Sequence, residues 1–376
     1  MSWRYQTSIE IGGVLNMSAL SSTLSDLAAQ MPDGPISSAD AWRADHMRES
    51  GEWMVHLDAA DIAEIDAAVG HAGGDDRPIA AITREDFPLR ALAAKLEVIR
   101  EDILRGRGFA LLRGLPVERY SIRESALAYW GVGMHLGHAV SQNAMGHLLG
   151  HVINIGLTTD DYRARTYQTN ARQYFHADSC DIVGLLCLRK AKRGGLSAIV
   201  SSVTVYNEML TRSPELAAEL FKPIHFDRRG EVPEGKDPWY QMPVFNWHEG
   251  RLSTHYVRRY IESIRRLDEV PPITDAQRAA FDLFDEIVED PCVQLRMDFE
   301  PGDMQFLHNP QILHDRTEFE DWNDSDQRRH LLRLWLCASD DRALPPAYAE
   351  RWGSIDVGNR GGIVVKDAIP HAPLEP

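Results

Sequence analysis

The sequence predicts a mixed α/β protein with a large β core. Two observations support this fold class. Before about residue 150, apolar residues recur mostly at helical spacing, whereas short alternating stretches separated by turns predominate after Val152. A helical stretch over about 205–290 then interrupts the strands, so we expect two separate parts of the chain to assemble the β core.

The N-terminal part of the chain predicts helices around one early strand. Residues 1–35 are weakly patterned and end in a Pro-Asp-Gly-Pro turn, which is typical of a leader or an oligomerisation arm. Apolar residues at helical spacing predict helices over 39–71 and 91–106. We expect a strand at 108–113 and another helix near 121–136.

The C-terminal part predicts short strands with one helical insertion. The charged, Gly- and Pro-rich region 228–243 is typical of a mobile loop, and such loops often cover active sites. Helical structure is expected to begin near Val205, and Thr274 and Gln277 form a capping-box pattern that starts another helix. Strands are expected at 152–155, 167–169, 182–188, 198–202, 293–299, 303–308 and 329–337.

Composition limits the partners and the location of the protein. The chain has 376 residues and a net charge of -16, which argues against nucleic acid as a partner because phosphate backbones bind basic surfaces. Its four cysteines include no C-x-x-C pair, so we expect free thiols in a reducing compartment. No secretory signal and no stretch of about 20 apolar residues is present, which predicts a cytoplasmic protein without a membrane partner.

Three residues form a candidate metal site. His176 and Asp178 are two apart, so on an extended chain both side chains point to the same face. A third ligand, His314, follows a predicted hairpin with a turn at 300–303, and we expect it at or just beyond the second strand of that hairpin. Two imidazoles and one carboxylate suit a ferrous ion with three open positions.

A second group of histidines is a weaker candidate. His147 and His151 have helical i, i+4 spacing, and His135 and His138 lie nearby. No acidic residue or cysteine lies among the four, and glycines weaken a helix in this segment. We therefore interpret this group as packing or pocket lining.

Two arginines suggest anionic ligands. Arg329 and Arg333 are four apart on a predicted strand, so both face the same way at a separation of about 13 Å. A planar guanidinium can hold a carboxylate through two parallel charge-assisted hydrogen bonds. A redox-active metal beside two such groups suggests a reaction with two small anions, in which one anion drives the oxidation of the other.

The chain resembles the taurine dioxygenase-like (TauD/TfdA) family of Fe(II)- and 2-oxoglutarate-dependent dioxygenases. The resemblance covers roughly residues 38–364 and depends on the combination of motifs rather than on any one of them. The segments that carry it are 107–116 (RGFALLRGLP), 175–178 (FHAD), 194–197 (GGLS), 301–303 (PGD), 309–316 (NPQILHDR) and 329–331 (RHL).

The resemblance implies a fold that the pattern alone does not specify. The β core would be a double-stranded β-helix, the jelly roll of the cupin type, with N-terminal helices on its outside. Residues 36–376 would form one catalytic domain. Its helical part would cover about 36–150, and the core about 151–340 with a helical insertion at about 205–290.

The resemblance also implies roles for individual residues. His176, Asp178 and His314 would ligate the iron, and Arg329 would bind the distal carboxylate of 2-oxoglutarate. Ser197 replaces the threonine of the taurine enzyme and keeps its hydroxyl donor to this carboxylate. Arg333 matches a position where some members bind an anionic group of the prime substrate.

The implied reaction uses O2 and converts 2-oxoglutarate to succinate and CO2 while a C–H bond of a small-molecule substrate is oxidised. Related halogenases lack the carboxylate ligand, so Asp178 favours hydroxylation, with desaturation and ring closure left open. The substrate itself is not identified. Trp130, Tyr174, Trp239 and Tyr240 are candidates for an apolar pocket.

Two other functions use the same residues. Two histidines and a carboxylate with an open position also serve catalytic zinc in hydrolases, but no H-E-x-x-H motif is present and Arg329 would have no role. A non-catalytic jelly-roll binding protein is the other alternative. The intact set of metal ligands argues against it, because a binding protein does not need one. A homo-oligomer is a further expectation, since residues 1–35 could serve as an arm.

Overall fold

The structure is a computed structural model, and it describes residues 30–73, 77–158 and 165–376. Most of the predicted leader, residues 1–29, therefore lies outside the described residues. Helices in the described ranges are α1 (Ala44–Ser50), α2 (Ala59–Ala72), α3 (Ala91–Arg105), α4 (Ile122–Met134), α5 (Ser202–Arg212), α6 (Pro214–Glu219), α7 (Arg258–Glu262), α8 (Asp275–Val288) and α9 (Ala349–Trp352). None of them combines the length and the apolar character that a membrane span requires.

Two antiparallel sheets form the core of the protein. The strands that build these two sheets are β1 (Met54–His56), β2 (Phe109–Arg113), β3 (His138–Ala139), β4 (Leu149–Ile153), β5 (Gln173–His176), β6 (Ile182–Arg189), β8 (Ser197–Ser201), β13 (Leu295–Met297), β14 (Met304–His308), β15 (Ile312–Arg316) and β17 (His330–Cys337). The larger sheet has the order β1-β2-β14-β6-β17-β3, with β4 also paired to β17, and only the β1–β2 pair is parallel. The smaller sheet has the order β13-β8-β15-β5.

Shorter strands lie outside the two sheets and pair locally. They are β7 (Arg193–Gly194) with β16 (Phe319–Glu320), β9 (Ile224–Asp227) with β10 (Trp239–Met242), β11 (Phe245–His248) with β12 (Arg251–Thr254), and β18 (Ile355–Asp356) with β19 (Asn359–Arg360).

The alternation of side chains along the strands produces four layers. On β14, Phe306 packs with the N-terminal helices, whereas the next residue, Leu307, packs between the two sheets. On β15, Ile312 lies between the sheets and Leu313 packs with α5, α6 and α8 on the other side. Helices therefore cover the outer face of each sheet, and the expected mixed α/β jelly roll is confirmed. The strand β17 is buried along its whole length because its sheet is covered on both faces.

Helix α8 begins at the capping box that the sequence predicts. The predicted capping box of α8 is present: the Thr274 hydroxyl accepts from the Gln277 amide at 3.1 Å, and the Gln277 side chain accepts from the Thr274 amide at 3.0 Å. One face of α8 is buried through Phe281, Phe284 and Ile287. This face closes the outer side of the smaller sheet.

Several local predictions are wrong. The segment 39–71 is not one helix, because β1 separates α1 from α2 and pairs with β2. Residues 293–299 and 303–308 do not form a hairpin, since β13 pairs with β8 in the smaller sheet and β14 with β2 and β6 in the larger one. The turn between them instead carries the chain from one sheet to the other.

Two further segments differ from expectation. Residues 166–168 form a short 3₁₀ helix rather than a strand. The region 228–243 contains β10, and the side chains of Arg228, Arg229 and Glu231 are buried. These three charged side chains are turned inward, whereas Glu234, Lys236 and Asp237 of the same region are exposed.

The second histidine group has structural contacts. His135 Nε2 lies 3.1 Å from the carbonyl oxygen of Phe87, and His151 Nδ1 lies 2.8 Å from His330 Nε2. Burial lowers the pKa of both His135 and His151, so both rings are neutral packing groups at neutral pH.

Candidate active site

Two neighbouring strands of the smaller sheet hold the candidate metal ligands. His176 ends β5 and is the cross-strand partner of His314 in the middle of β15, so the prediction that His314 follows a hairpin is wrong. Asp178 lies two residues beyond β5. Its Oδ1 is 3.7 Å from His176 Nε2, and its Oδ2 is 3.7 Å from His314 Nε2. Within the described ranges, this metal triad is the one group of three such residues that could hold an ion.

The spacing of the metal triad fits one metal ion. Bonds from iron or zinc to nitrogen and oxygen ligands are about 2.1 Å long, so ligand atoms around one ion lie about 3 Å apart. The ligand atoms of the triad all lie within 4.8 Å of one another. Small side-chain rotations therefore bring all three atoms onto one ion.

Neighbouring groups orient the ligands. His176 Nδ1 lies 2.9 Å from the carbonyl oxygen of Tyr174, which makes Nδ1 the protonated nitrogen. The Nε2 lone pair, which faces Gln173 Nε2 at 2.8 Å, is then the one that a metal would take over. Trp335 Nε1 donates to Asp178 Oδ2 at 2.9 Å, and the amide of Asp178 donates to Asn309 Oδ1 at 3.0 Å. These supporting contacts hold Asp178 where its second oxygen can reach the ion.

The electrostatics of the site favour the forms that bind metal. Burial, with the neighbouring His176, lowers the pKa of His314 to about 3, so its imidazole is neutral at physiological pH. Burial opposes ionisation of Asp178, but the nearby Arg333 guanidinium, together with the hydrogen bond from Trp335, favours the carboxylate, and the pKa of this carboxyl is lowered. A neutral imidazole and a carboxylate are the forms that ligate metals.

A small pocket of about 30 Å³ adjoins the metal triad. Ser197, Arg316 and Arg329 line it together with His176 and His314. Within the described part of the chain, Arg329 Nη1 and Arg316 Nε have no hydrogen-bond partner although both atoms are buried. Such unpaired buried donors are costly, which indicates that an acceptor from a ligand completes the pocket.

The two pocket arginines are positioned by Phe319. The Arg329 and Arg316 guanidinium carbons lie 5.2 and 4.7 Å from the centre of its ring. Burial lowers the pKa of Arg329 to about 10 and, together with Arg329, that of Arg316 to about 9. The folded protein thus holds two cations where a bound anion would stabilise them. Sequence reasoning missed Arg316, although its motif at 309–316 had been singled out.

A large cavity of about 1050 Å³ opens on the other side of the metal triad. Arg333 lines both this cavity and the small pocket. Its Nε donates to Gln142 Oε1 at 2.8 Å, and its Nη1 lies 3.7 Å from Asp178 Oδ2. Arg329 and Arg333 thus reach one region as expected, although β17 has a register shift after His330.

The expected apolar pocket is only partly present. Tyr174 and Tyr240 line the large cavity, but Trp130 is buried in the core, where its Nε1 donates to the carbonyl oxygen of Ile82. The described lining instead includes seven arginines: Arg165, Arg172, Arg229, Arg258, Arg259, Arg333 and Arg351. The cavity is therefore suited to a charged ligand. The sequence does not reveal this group of arginines, because its members are scattered along the chain.

Comparison with known proteins agrees with this geometry. FR-33289 synthase of Streptomyces rubellomurinus is 33% identical over 325 residues, which cover 85% of this chain and 95% of that protein. A uridine-5'-phosphate dioxygenase of an Amycolatopsis species is 30% identical over 185 residues, covering 47% of this chain and 65% of that protein. The structure of asparagine oxygenase with Fe(II), 3-hydroxyasparagine and succinate superposes with a TM-score of 0.59 at 17% identity, covering 76% of this chain and 93% of that one.

The family assignment distinguishes the alternatives for the reaction. The sequence profile of the taurine catabolism dioxygenase TauD, TfdA family matches residues 75–335, which is more than half of the chain and includes every residue of the metal triad. This match favours an iron- and 2-oxoglutarate-dependent dioxygenase over a zinc hydrolase or a non-catalytic jelly roll. The chain belongs to the TauD/TfdA family of Fe(II)- and 2-oxoglutarate-dependent dioxygenases and oxidises a small molecule with O2.

Proposed function

We propose that this enzyme hydroxylates a small anionic organic substrate. In this proposal, His176, Asp178 and His314 hold the iron. The observation that carries the assignment is the buried Arg329, which faces the metal triad across a small pocket with an unpaired donor. Iron and 2-oxoglutarate, when bound, supply the oxidation of a C–H bond by O2 with release of succinate and CO2.

The small pocket fits the distal carboxylate of 2-oxoglutarate. Arg329 and Arg316 each offer a buried donor without a partner among the described residues, and Ser197 offers a hydroxyl in the same pocket. A carboxylate held by two guanidiniums and a hydroxyl accepts several charge-assisted hydrogen bonds. The protein thereby directs the other end of the co-substrate to the metal triad.

The chain's own residues then control the outcome at the metal. Asp178 supplies the carboxylate ligand, and the Trp335 indole keeps one of its oxygens hydrogen-bonded. The apolar residues Leu185, Phe299 and Leu331 line the small pocket and exclude water from the bound co-substrate. Because a carboxylate occupies the third ligand position, the proposed outcome is hydroxylation.

The prime substrate is proposed to occupy the large cavity with an anionic group near Arg333. This arginine lines the cavity and lies beside the metal triad. A relative whose name states a phosphate ester as substrate supports an anionic substrate for this chain. The net charge of -16 does not oppose this assignment, because Arg333 acts on a bound anion at much shorter range than the acidic surface does.

Two broader proposals accompany the chemistry. All four cysteines are free and three of them are buried, which supports a cytoplasmic location. Residues 36–376 are proposed to act as one catalytic domain, supported by the packing of the N-terminal helices directly on the larger sheet.

Succinate release tests the proposed function. Purified protein with Fe(II), 2-oxoglutarate and O2 should release succinate, and small anionic molecules should be screened for those that stimulate this release. Each successful candidate should yield a product heavier by one oxygen atom. A substrate set in which only uncharged molecules stimulate succinate release would contradict the anionic substrate but not the co-substrate assignment.

A further inference from the structure

The large cavity holds a group of arginines away from the metal triad. We call Arg165, Arg229, Arg259 and Arg351 the arginine cluster, and all four line the cavity. Tyr260 lies at its centre: the guanidinium carbons of Arg165 and Arg229 are 5.9 and 5.3 Å from its ring centre. The hydroxyl of Tyr260 also accepts a hydrogen bond from Arg165.

The arginine cluster is tied to the metal triad by short connections. Arg351 Nε donates to Ser179 Oγ at 3.0 Å, and Ser179 follows Asp178 directly. His176 pairs with Val257, three residues before Tyr260. A cross-strand spacing of about 5 Å and three helical residues of about 1.5 Å each put the Cα atom of Tyr260 within about 10 Å of the Cα atom of His176. One small molecule can therefore reach both.

The carboxylates of the cavity wall mostly surround other arginines. Arg258 contacts Glu262, Asp282 and Asp285 at 2.9, 2.8 and 3.1 Å. Arg172 contacts Glu289 and Asp315 at 2.5 and 2.9 Å. These two cavity arginines are thus balanced locally by carboxylates on the wall.

Glu231 provides the carboxylate inside the arginine cluster. Its Oε2 pairs with Arg165 and lies 3.7 Å from Arg351 Nη2. Arg259 donates to Thr166 Oγ1 at 2.8 Å, and both Arg229 and Arg259 have further contacts within the protein. Glu231 is buried, so the carboxylate sits among the cluster's guanidiniums rather than in solvent.

Arg229 and Arg259 are repelled by neighbouring guanidiniums of the cluster. Burial, with the cations of Arg259 and Arg165, lowers the pKa of Arg229 to about 10. Burial and the neighbouring Arg165 also lower the pKa of Arg259. An added anion with several oxygens would relieve this repulsion, because planar guanidiniums bind such groups through paired hydrogen bonds.

We propose that the arginine cluster is a second anion subsite that binds a tetrahedral dianion, a phosphate ester or a phosphonate, at the end of the substrate remote from the iron. This inference rests on the proposed function and adds a substrate class to it. The three oxygens of a dianion can contact several guanidiniums at once, whereas a carboxylate has only two oxygens for such contacts. Binding of the dianion in the cluster would then position the carbon to be oxidised beside the metal triad.

Anaerobic calorimetry with simple probes tests this subsite. Protein loaded with Fe(II) and saturating 2-oxoglutarate is titrated with methyl phosphate, methylphosphonate and the monoanion methanesulfonate, at a pH above the second pKa of methylphosphonate so that both phosphorus probes are dianions. Saturating 2-oxoglutarate keeps the probes out of the small pocket. We expect both dianions to bind more tightly than methanesulfonate, and equal or weaker binding of both dianions would contradict the subsite.

Three substitutions locate the binding. Arg259→Gln should weaken dianion binding about tenfold to a hundredfold, because a hydrogen bond to a charged group is lost. Glu231→Gln should tighten it, since it removes the competing carboxylate, and a folding defect cannot produce this gain. Arg212→Gln is the matched control and should change it little, because this arginine also pairs with three carboxylates but does not line the cavity.

The outcomes separate this inference from the proposed function. If 2-oxoglutarate binds but neither dianion does, or if Arg259→Gln and Glu231→Gln leave dianion affinity unchanged, the subsite is refuted and the dioxygenase assignment stands. If 2-oxoglutarate itself fails to bind to the iron-loaded protein, the proposed function fails first.

Discussion

Replacing Arg329 should mainly weaken the binding of 2-oxoglutarate. The side chain is 4% exposed, and its Nη1 faces the small pocket without a partner among the described residues. Losing one partner of a buried charge pair costs on the order of 2–5 kcal/mol. Because Arg316 remains in the same pocket, we expect the lower part of this range, a loss of roughly 30-fold to 300-fold in affinity.

Arg329→Met is the preferred substitution, because it removes the charge and keeps much of the volume. Anaerobic calorimetry on the Fe(II)-loaded protein measures the dissociation constant of 2-oxoglutarate. Arg328→Met is the matched control, since it removes a neighbouring arginine that does not line the small pocket. The thermal unfolding of the ligand-free protein should not fall with Arg329→Met, because burial already disfavours the charged form of this residue and lowers its pKa.

An unchanged affinity in Arg329→Met would refute the role of Arg329 in binding the distal carboxylate, and Arg316 in the same pocket would be the next cation to examine. An equal loss in Arg328→Met would instead indicate a general electrostatic effect on the binding of anions.

Other substitutions should separate the remaining roles. Alanine in place of any member of the metal triad should weaken Fe(II) binding and abolish turnover, while an unchanged circular dichroism spectrum should show that the fold persists. Ser197→Ala should weaken 2-oxoglutarate by about 1 kcal/mol, roughly fivefold, which calorimetry can resolve from the larger effect of Arg329→Met. Gly195→Ala should also weaken 2-oxoglutarate without loss of iron, because Gly195 has a φ of +69° and a Cβ there would lie 2.9 Å from Arg329 Nε. Arg333→Ala should raise the KM of the prime substrate but leave substrate-independent succinate release intact, and the reverse pattern would show that Arg333 serves 2-oxoglutarate.

The His176–Asp178 part of the metal triad could be predicted from sequence because its geometry is local. His176 and Asp178 share a face through the alternation of an extended chain, and the structure confirms that the pair converges with His314. What remained invisible was the pairing of β5 with β15, which places His314 directly across from His176. Strand pairing over such a sequence distance depends on the assembled core rather than on local pattern.

The second half of the site shows the limit of local patterns. The charged segment 228–243 was interpreted as a mobile loop, because charge usually marks solvent-exposed chain. In the structure Arg229 and Glu231 are buried against the cavity, where ionic partners from distant segments replace water. The hairpin predicted at 293–308 failed for a similar reason, since its turn signal was correct but its strands pair in different sheets.

The most direct test of the central claim is the visible spectrum of the anaerobic, Fe(II)-loaded protein on addition of 2-oxoglutarate. If the metal triad and Arg329 bind iron and co-substrate together, a weak charge-transfer band should appear in the wild type and be lost in Asp178→Ala. A folded, iron-loaded wild-type protein that develops no band at saturating 2-oxoglutarate would contradict the account.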